Sequence, residues 1–143
     1  MQISQIINFL ETIAPTSLQE SYDNAGLITG LPEWECKGAI ISLDITEDII
    51  DEAIRNNCNL LIAHHPIVFK GLKQINGNEY VGRIIIRAIK NDLAIYAIHT
   101  NLDNVLSGVN GRIADQFGLL NQSILAEKDQ TLKKLFTFVP VDY

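Results

Sequence analysis

The sequence predicts an α/β fold, with a mostly parallel sheet and helices packed on its faces. Three short apolar runs lack the polar alternation of a strand that faces water on one side. Amphipathic helical patterns follow these runs, in the order strand–helix–strand–helix–strand–helix. Because 143 residues are about one domain's worth, we expect a single α/β domain over residues 1–143.

The first half of the chain contains one helix before the strand–helix alternation begins. Isoleucine and leucine recur at helical spacing over residues 3–14, and Pro15 ends the pattern. Residues 15–38 are expected to form a loop. The first strand is expected over Ala39–Leu43, and a helix is expected over residues 46–57, where apolar side chains share one face.

The second half continues the alternation. A second strand is expected over Asn59–Ala63, and a third over Leu93–Ile98. The helix between them, Val81–Ile89, could be capped by Asn78. A last helix is expected to begin at Ser107, with Gly118 just past its end. The residues of this last helix expected to face the core are Val109, Ile113, Ala114 and Phe117. A further strand is expected over Leu135–Val139.

Composition and charge exclude several classes of protein. A chain that is 47% hydrophobic and 20% charged is not a disordered or low-complexity protein. The net charge of −6 argues against a nucleic-acid partner, since such proteins carry basic surfaces. Neither a secretory signal pattern nor an apolar run long enough to cross a bilayer is visible. We therefore expect a cytoplasmic protein without membrane contact.

Polar residues follow each of the three predicted strands. Asp44 follows the first strand, His64 and His65 follow the second, and His99 follows the third. Ligands of open α/β sheets bind outside the carboxyl ends of the strands, so the three histidines of the protein are expected at one edge. Imidazole and carboxylate ligands suit Zn, Fe, Mn or Ni. The sequence therefore predicts a metal site at this edge.

The adjacent histidines suggest two metal ions. Pro66 favours an extended conformation at His65, and successive side chains of an extended chain point to opposite sides. We expect His64 and His65 to serve different ions of a pair about 3.5–4 Å apart. Asp103 could bind one of the ions, although this set of donors is smaller than two ions need.

Other polar residues leave alternatives open. Lys70 and Lys73 follow the histidines closely and either bind a substrate phosphate or are solvated loop lysines. Asp23 and Asn24 either form a turn or line the same cleft.

Four motifs resemble one known family. They are YDNAGL at residues 22–27, HHPIVF at 64–69, HTNLD at 99–103 and GVN at 108–110. In this order they resemble the dinuclear-metal-centre hexameric proteins, an NGG-interacting-factor-like group whose members are often called GTP cyclohydrolase 1 type 2 homologs. The resemblance runs from the first helix to Val139.

The resemblance implies two divalent metal ions, with His64, His65 and Asp103 among their ligands. The remaining ligands of the family, a histidine and a glutamate, lie near its C-terminus and have no counterpart in this sequence. Family members are longer, so the resemblance implies that this chain is the N-terminal part of one. It also implies an α/β fold of two related halves and a toroidal hexamer built from trimers.

The function that the resemblance implies is that of a metal-dependent hydrolase acting on a nucleotide or another phosphorylated small molecule. His99 would be a catalytic residue that carries a proton or orients a ligand, and Lys70 and Lys73 would bind the substrate. A non-catalytic, metal-stabilised scaffold or regulatory binding protein is the alternative, and the missing ligand pair favours it.

Overall fold

The computed structural model describes residues 1–126 and has the predicted α/β fold. The strands are β1 (Gly26–Thr29), β2 (Ala39–Ser42), β3 (Leu60–Ala63) and β4 (Ala94–Ala97). The helices are α1 (Ile3–Ile13), α2 (Glu47–Arg55), α3 (Tyr80–Lys90), α4 (Thr100–Asp103) and α5 (Val109–Gln116), and a 3-10 turn spans Thr16–Leu18. The strand expected over Leu135–Val139 lies outside the described residues.

The four strands form one sheet in the order β1–β4–β3–β2. Strands β2, β3 and β4 are parallel, as predicted, with Ile40 beside Leu61 and Leu61 beside Ile95. Strand β1 runs antiparallel to β4, with Gly26 beside Ala97. The expectation that residues 15–38 form only a loop is therefore wrong, because they contain β1 and the 3-10 turn.

Helices cover both faces of the sheet at β3 and β4, whereas Ile41 of the edge strand β2 is 80% exposed. One buried cluster lies between the sheet and α2 and α3, and it contains Ile45, Ile50, Ala53, Leu61, Ala63, Ile84, Ala88, Leu93 and Ile95. The other lies between the sheet and α1, and it contains Ile3, Ile7, Ala14, Leu60, Ile62, Ala94, Tyr96 and Ile98. Because alternate residues of β3 and β4 enter opposite clusters, every position of these strands is buried. This explains why the strands have no polar alternation.

The amino-terminal ends of α2 and α3 are stabilised differently. Thr46 precedes α2, and its hydroxyl oxygen accepts a hydrogen bond from the Ile49 N–H at 3.2 Å. The prediction that Asn78 caps α3 is wrong. Glu79 occupies the capping position without a side-chain hydrogen bond, while the backbone N–H of Asn78 donates to the side chain of Asn76.

The last described helix confirms its predicted end but not its predicted buried face. Gly118 has φ +67° just past α5, in the left-handed region that glycine tolerates best. Ile113 is 49% exposed and Phe117 is 78% exposed, although both were expected to face the core. The reason is positional, since α5 packs beside α4, beyond the carboxyl end of β4.

The close approach of α3 to the loop before it leads to a stability prediction. A Cβ added at Gly82 would lie 2.1 Å from the carbonyl oxygen of Asn76. We expect Gly82→Ala to lower the free energy of unfolding by about 1–3 kcal/mol, as measured by urea denaturation. Gly77→Ala is the control, because an added Cβ there meets nothing within 4 Å. Equal stability losses in the two variants would contradict the steric explanation.

Candidate metal centre

The parallel strands bring the predicted polar residues to one edge of the sheet. Asp44 follows the carboxyl end of β2, His64 and His65 follow β3, and His99 lies just past β4. Since β3 lies between β2 and β4, the two adjacent histidines stand between Asp44 and His99. The predicted position of these residues is confirmed.

The three histidines form a compact cluster. The ring centroid of His64 lies 5.0 Å from that of His65 and 5.2 Å from that of His99. The centroids of His65 and His99 are 5.6 Å apart. One ring nitrogen from each residue lies within 4.8 Å of the others. The cluster could therefore hold a metal ion.

Each imidazole is oriented by an oxygen acceptor at its Nδ1 atom. The carbonyl oxygen of Ile98 lies 3.0 Å from Nδ1 of His64, and a carboxylate oxygen of Asp44 lies 2.8 Å from Nδ1 of His65. A carboxylate oxygen of Asp23 lies 2.8 Å from Nδ1 of His99. A proton on each Nδ1 satisfies these contacts and leaves each Nε2 with its lone pair. Such hydrogen bonds are typical of metal-binding histidines.

The adjacent histidines do not point to opposite sides as an extended chain would require. The chain bends at His64 and His65, and their rings face the same cluster. Their backbone N–H groups donate to the consecutive carbonyl groups of Ser42 and Leu43, whereas consecutive N–H groups of a regular strand face opposite neighbours. The bend removes the geometric reason for assigning the two rings to different ions.

Asp103 reaches the cluster from the end of α4. Its Oδ1 atom lies 3.7 Å from Nε2 of His64, and about a quarter of its side chain is exposed. The short helix α4 follows His99 directly, and the backbone N–H of Asp103 donates to the His99 carbonyl group at 3.2 Å. The predicted carboxylate therefore stands beside the free nitrogen of one histidine.

Asp23 lines the site from behind His99, so the cleft interpretation of this residue fits the structure. Its side chain is fully buried. Burial raises the pKa of the Asp23 carboxyl group. Hydrogen bonds from Thr100, His99 and the backbone N–H of Asn24 lower this pKa by more than burial raises it, so it lies below its usual value. Asp23 is therefore an ionised acceptor at neutral pH.

Lys70 and Lys73 lie on the exposed loop between β3 and α3. In the part of the chain that is described, neither ammonium group is held by an ion pair. Lys73 lines a polar cavity of about 390 Å³ with Asn76 and Glu79. The structure leaves their role as substrate-binding residues a prediction.

Two features beside the histidines were not predicted. Phe69 packs edge-on against His99, with ring centroids 6.1 Å apart, and Tyr22 packs against Phe69 at 6.3 Å. A cavity of about 780 Å³ is also lined by Asp103, Asn104 and Asn110. Of the predicted metal ligands, Asp103 lines this cavity, so the cavity offers a small molecule room beside that carboxylate.

Known proteins resemble this chain in sequence. A family model described as Duf34/NIF3 (NGG1p interacting factor 3) matches residues 1–141. A Clostridium acetobutylicum protein named "GTP cyclohydrolase 1 type 2 homolog" is 40% identical over 134 residues, which are 94% of this chain and 50% of that protein. A Staphylococcus epidermidis protein of the same name is 41% identical over 143 residues, which are 100% of this chain and 39% of that protein.

A solved structure shares the fold. The crystal structure of a Bacillus cereus protein related to NIF3 matches with a TM-score of 0.83 and 41% identity, covering 90% of this chain and 35% of that one. The chain spans half or less of the length of these relatives. None of the helices in residues 1–126 combines the length and hydropathy needed to cross a membrane.

Proposed function

The chain belongs to the Duf34/NIF3 (NGG1p interacting factor 3) family, and from this membership and the histidine cluster we propose that it binds divalent metal ions at the carboxyl ends of β3 and β4. The observation that carries the proposal is the common orientation of His64, His65 and His99, whose Nδ1 atoms are all engaged by oxygen acceptors. Three neutral imidazoles and one carboxylate are a donor set that suits Zn, Fe, Mn or Ni. The residues present therefore fit such an ion.

The proposed ligands are His64, His65 and Asp103. We propose that the longer protein binds two ions. Together with His99, these residues offer four donors, which is enough for one four-coordinate ion. A second ion needs donors from elsewhere. The resemblance assigns that role to a histidine and a glutamate near the C-terminus of longer family members.

The proposed reaction is the hydrolysis of a nucleotide or another phosphorylated small molecule. Bound divalent ions would supply Lewis-acid chemistry, since they lower the pKa of water and polarise a substrate oxygen. In the longer protein, where donors from elsewhere complete the metal site, His99 is the proposed proton carrier, because Asp23 holds its Nδ1 atom and leaves its Nε2 atom free. The cavity beside Asp103 offers room for the substrate.

Metal analysis is the experiment that tests the binding proposal. The chain is purified without exposure to chelators, and its metal content per chain is measured by mass spectrometry of the elements. We expect about one ion per chain or more. A metal content near zero, which persists after incubation with Mn²⁺, Zn²⁺ and Fe²⁺, would contradict the proposal for this chain.

A substrate screen separates the hydrolase from the scaffold. The metal-loaded chain and a longer relative are assayed against nucleoside triphosphates and phosphate esters. Turnover by the longer relative supports the hydrolase proposal. Stoichiometric metal with no turnover in either protein would support the non-catalytic, metal-stabilised scaffold instead.

The loop lysines provide a prediction about the substrate. If Lys70 and Lys73 bind a phosphate group, Lys73→Ala is expected to raise KM for phosphorylated substrates by about fivefold to tenfold, because one charge-assisted contact of about 1 kcal/mol is lost. The control is Lys37→Ala, which removes an exposed lysine before the amino end of β2, at the opposite edge of the sheet. Equal KM values for wild type and Lys73→Ala would exclude this lysine from substrate binding.

The remaining proposals concern the whole protein. We propose a cytoplasmic homo-oligomer, a hexamer as the resemblance implies, that acts on a small molecule. The net charge of −6 supports a partner other than nucleic acid.

A further inference from the structure

We propose that Asp23 is a positioning residue that fixes the ring orientation and tautomer of His99, so that the Nε2 lone pair of His99 faces His64 and His65. The inference rests on the proposed metal function, because a lone pair directed at the cluster matters only where a ligand or a proton is to be received. It concerns a residue that contacts the cluster at Nδ1 of His99 and is not itself a proposed ligand.

The hydrogen bonds of Asp23 leave its carboxylate little freedom. Oδ1 accepts hydrogen bonds from Nδ1 of His99 at 2.8 Å and from the backbone N–H of Asn24 at 2.7 Å. Oδ2 accepts one from the backbone N–H of Thr100 at 3.0 Å and another from the Thr100 hydroxyl group. An ionised carboxylate accepts and does not donate, so the shared proton belongs on Nδ1 of His99. The other ring nitrogen is then unprotonated.

The loop that carries Asp23 is fixed to the sheet on both sides. Because β1 is antiparallel to β4, the loop before Gly26 reaches the residues that follow Ala97. The amide of Asn24 donates to the carbonyl group of Val68 at 2.6 Å, in the loop after β3. The backbone N–H of Glu20 donates to the Thr100 hydroxyl oxygen at 2.9 Å. Asp23 is therefore held in place by contacts other than its contact with His99.

Burial distinguishes Asp23 from the other carboxylate that contacts a histidine. Asp44 lies 2.8 Å from Nδ1 of His65. More than half of the Asp44 side chain is exposed, and nearly half of the His65 side chain is exposed as well. Water can replace Asp44 as the acceptor. The side chain of Asp23 is fully buried and that of His99 is 17% exposed, so water cannot readily take the place of Asp23 as the acceptor. Asp44→Asn is therefore a matched control for Asp23→Asn.

The first readout is the histidine tautomer in the metal-free protein, measured by ¹⁵N-detected NMR of the imidazole rings. We expect His99 to carry its proton on Nδ1 in the wild type, with the signal assigned by its loss in His99→Gln. In Asp23→Asn the amide group can donate to Nδ1, so the population with the proton on Nε2 is expected to dominate. Asp44→Asn is expected to leave the tautomer of His99 unchanged.

The second readout is the affinity for Zn²⁺, measured by competition with a chromophoric chelator. We expect Asp23→Asn to weaken binding about 10-fold to 100-fold, the range found when partners of metal-binding histidines are removed, and Asp44→Asn to weaken it less than threefold. Thr100→Val removes the hydroxyl bond to Asp23 but leaves the His99 contact. It is expected to lower stability while leaving the tautomer and the affinity unchanged.

The outcomes separate this inference from the proposed function. A wild-type His99 with its proton on Nε2 overturns the inference even if Asp23→Asn fails to fold. An unchanged tautomer in a folded Asp23→Asn variant does the same. If the wild type binds no Zn²⁺, the metal proposal fails, and the tautomer of the metal-free protein still decides whether Asp23 positions His99.

Discussion

His64→Ala is expected to weaken Zn²⁺ binding by the chain at least about 100-fold. His64 has the two shortest ring-centroid distances in the cluster, 5.0 Å to His65 and 5.2 Å to His99, and its Nε2 atom lies 3.7 Å from Asp103. Removal of a partner of a metal-binding histidine already costs about 10-fold to 100-fold in affinity, so removal of a ligand itself is expected to cost at least as much. Competition with a chromophoric chelator measures the loss.

Two further variants make this result specific. His65→Ala is expected to lower the bound metal to a lesser degree, about 10-fold in affinity, because nearly half of the His65 side chain is exposed and water can occupy the vacated position. Lys73→Ala lies in the same loop and is expected to bind Zn²⁺ like the wild type. Unchanged metal stoichiometry and affinity in both histidine variants would refute the ligand assignment.

Asn101→Leu is expected to lower the free energy of unfolding by about 2–5 kcal/mol. Asn101 belongs to α4, and its side chain is fully buried against the end of α1. Its amide group donates to the carbonyl group of Ala14 at 2.7 Å, and its carbonyl oxygen accepts from the His99 N–H at 2.9 Å. Leucine would leave both backbone groups buried without these partners, and each such loss costs about 1–3 kcal/mol.

Urea denaturation followed by circular dichroism measures the change in stability. Asn8→Leu is the control, because Asn8 is exposed on α1, where substitutions usually change stability by less than about 0.5 kcal/mol. Coincident unfolding transitions for Asn101→Leu and the wild type would show that these two hydrogen bonds contribute little. A stable Asn101→Leu variant with altered metal affinity would assign Asn101 to the site alone.

The predictable part of the fold is the part in which local pattern and tertiary environment agree. The runs that became β3 and β4 are apolar at every position because both faces of the sheet are covered. β1 is different, since Gly26–Thr29 is short and adjoins Gly30, and its strand conformation depends on pairing with β4, which is distant in sequence. A single sequence carries no local signal for such a pairing.

The candidate site divides in the same way. The edge at which His64, His65 and His99 meet follows from the carboxyl ends of parallel strands, so it could be predicted. The direction of the two adjacent rings depends on a bend that the X-Pro preference alone does not specify. The contact between Asp23 and His99 could not be predicted, because it depends on the antiparallel pairing of β1 with β4.

The central place of β4 in the sheet has a consequence for the order of events during synthesis. Both of its neighbours, β1 and β3, precede it in the chain, so the four-stranded sheet cannot form until β4 has been synthesised. The contact between Asp23 and His99 joins residues 76 positions apart, and contacts of such high sequence separation form slowly. A nascent chain whose β4 has not yet left the ribosome therefore leaves β1 without its strand partner, leaves one edge of β3 unpaired and has no oriented His99. The proposed metal binding by the histidine cluster therefore requires the finished domain.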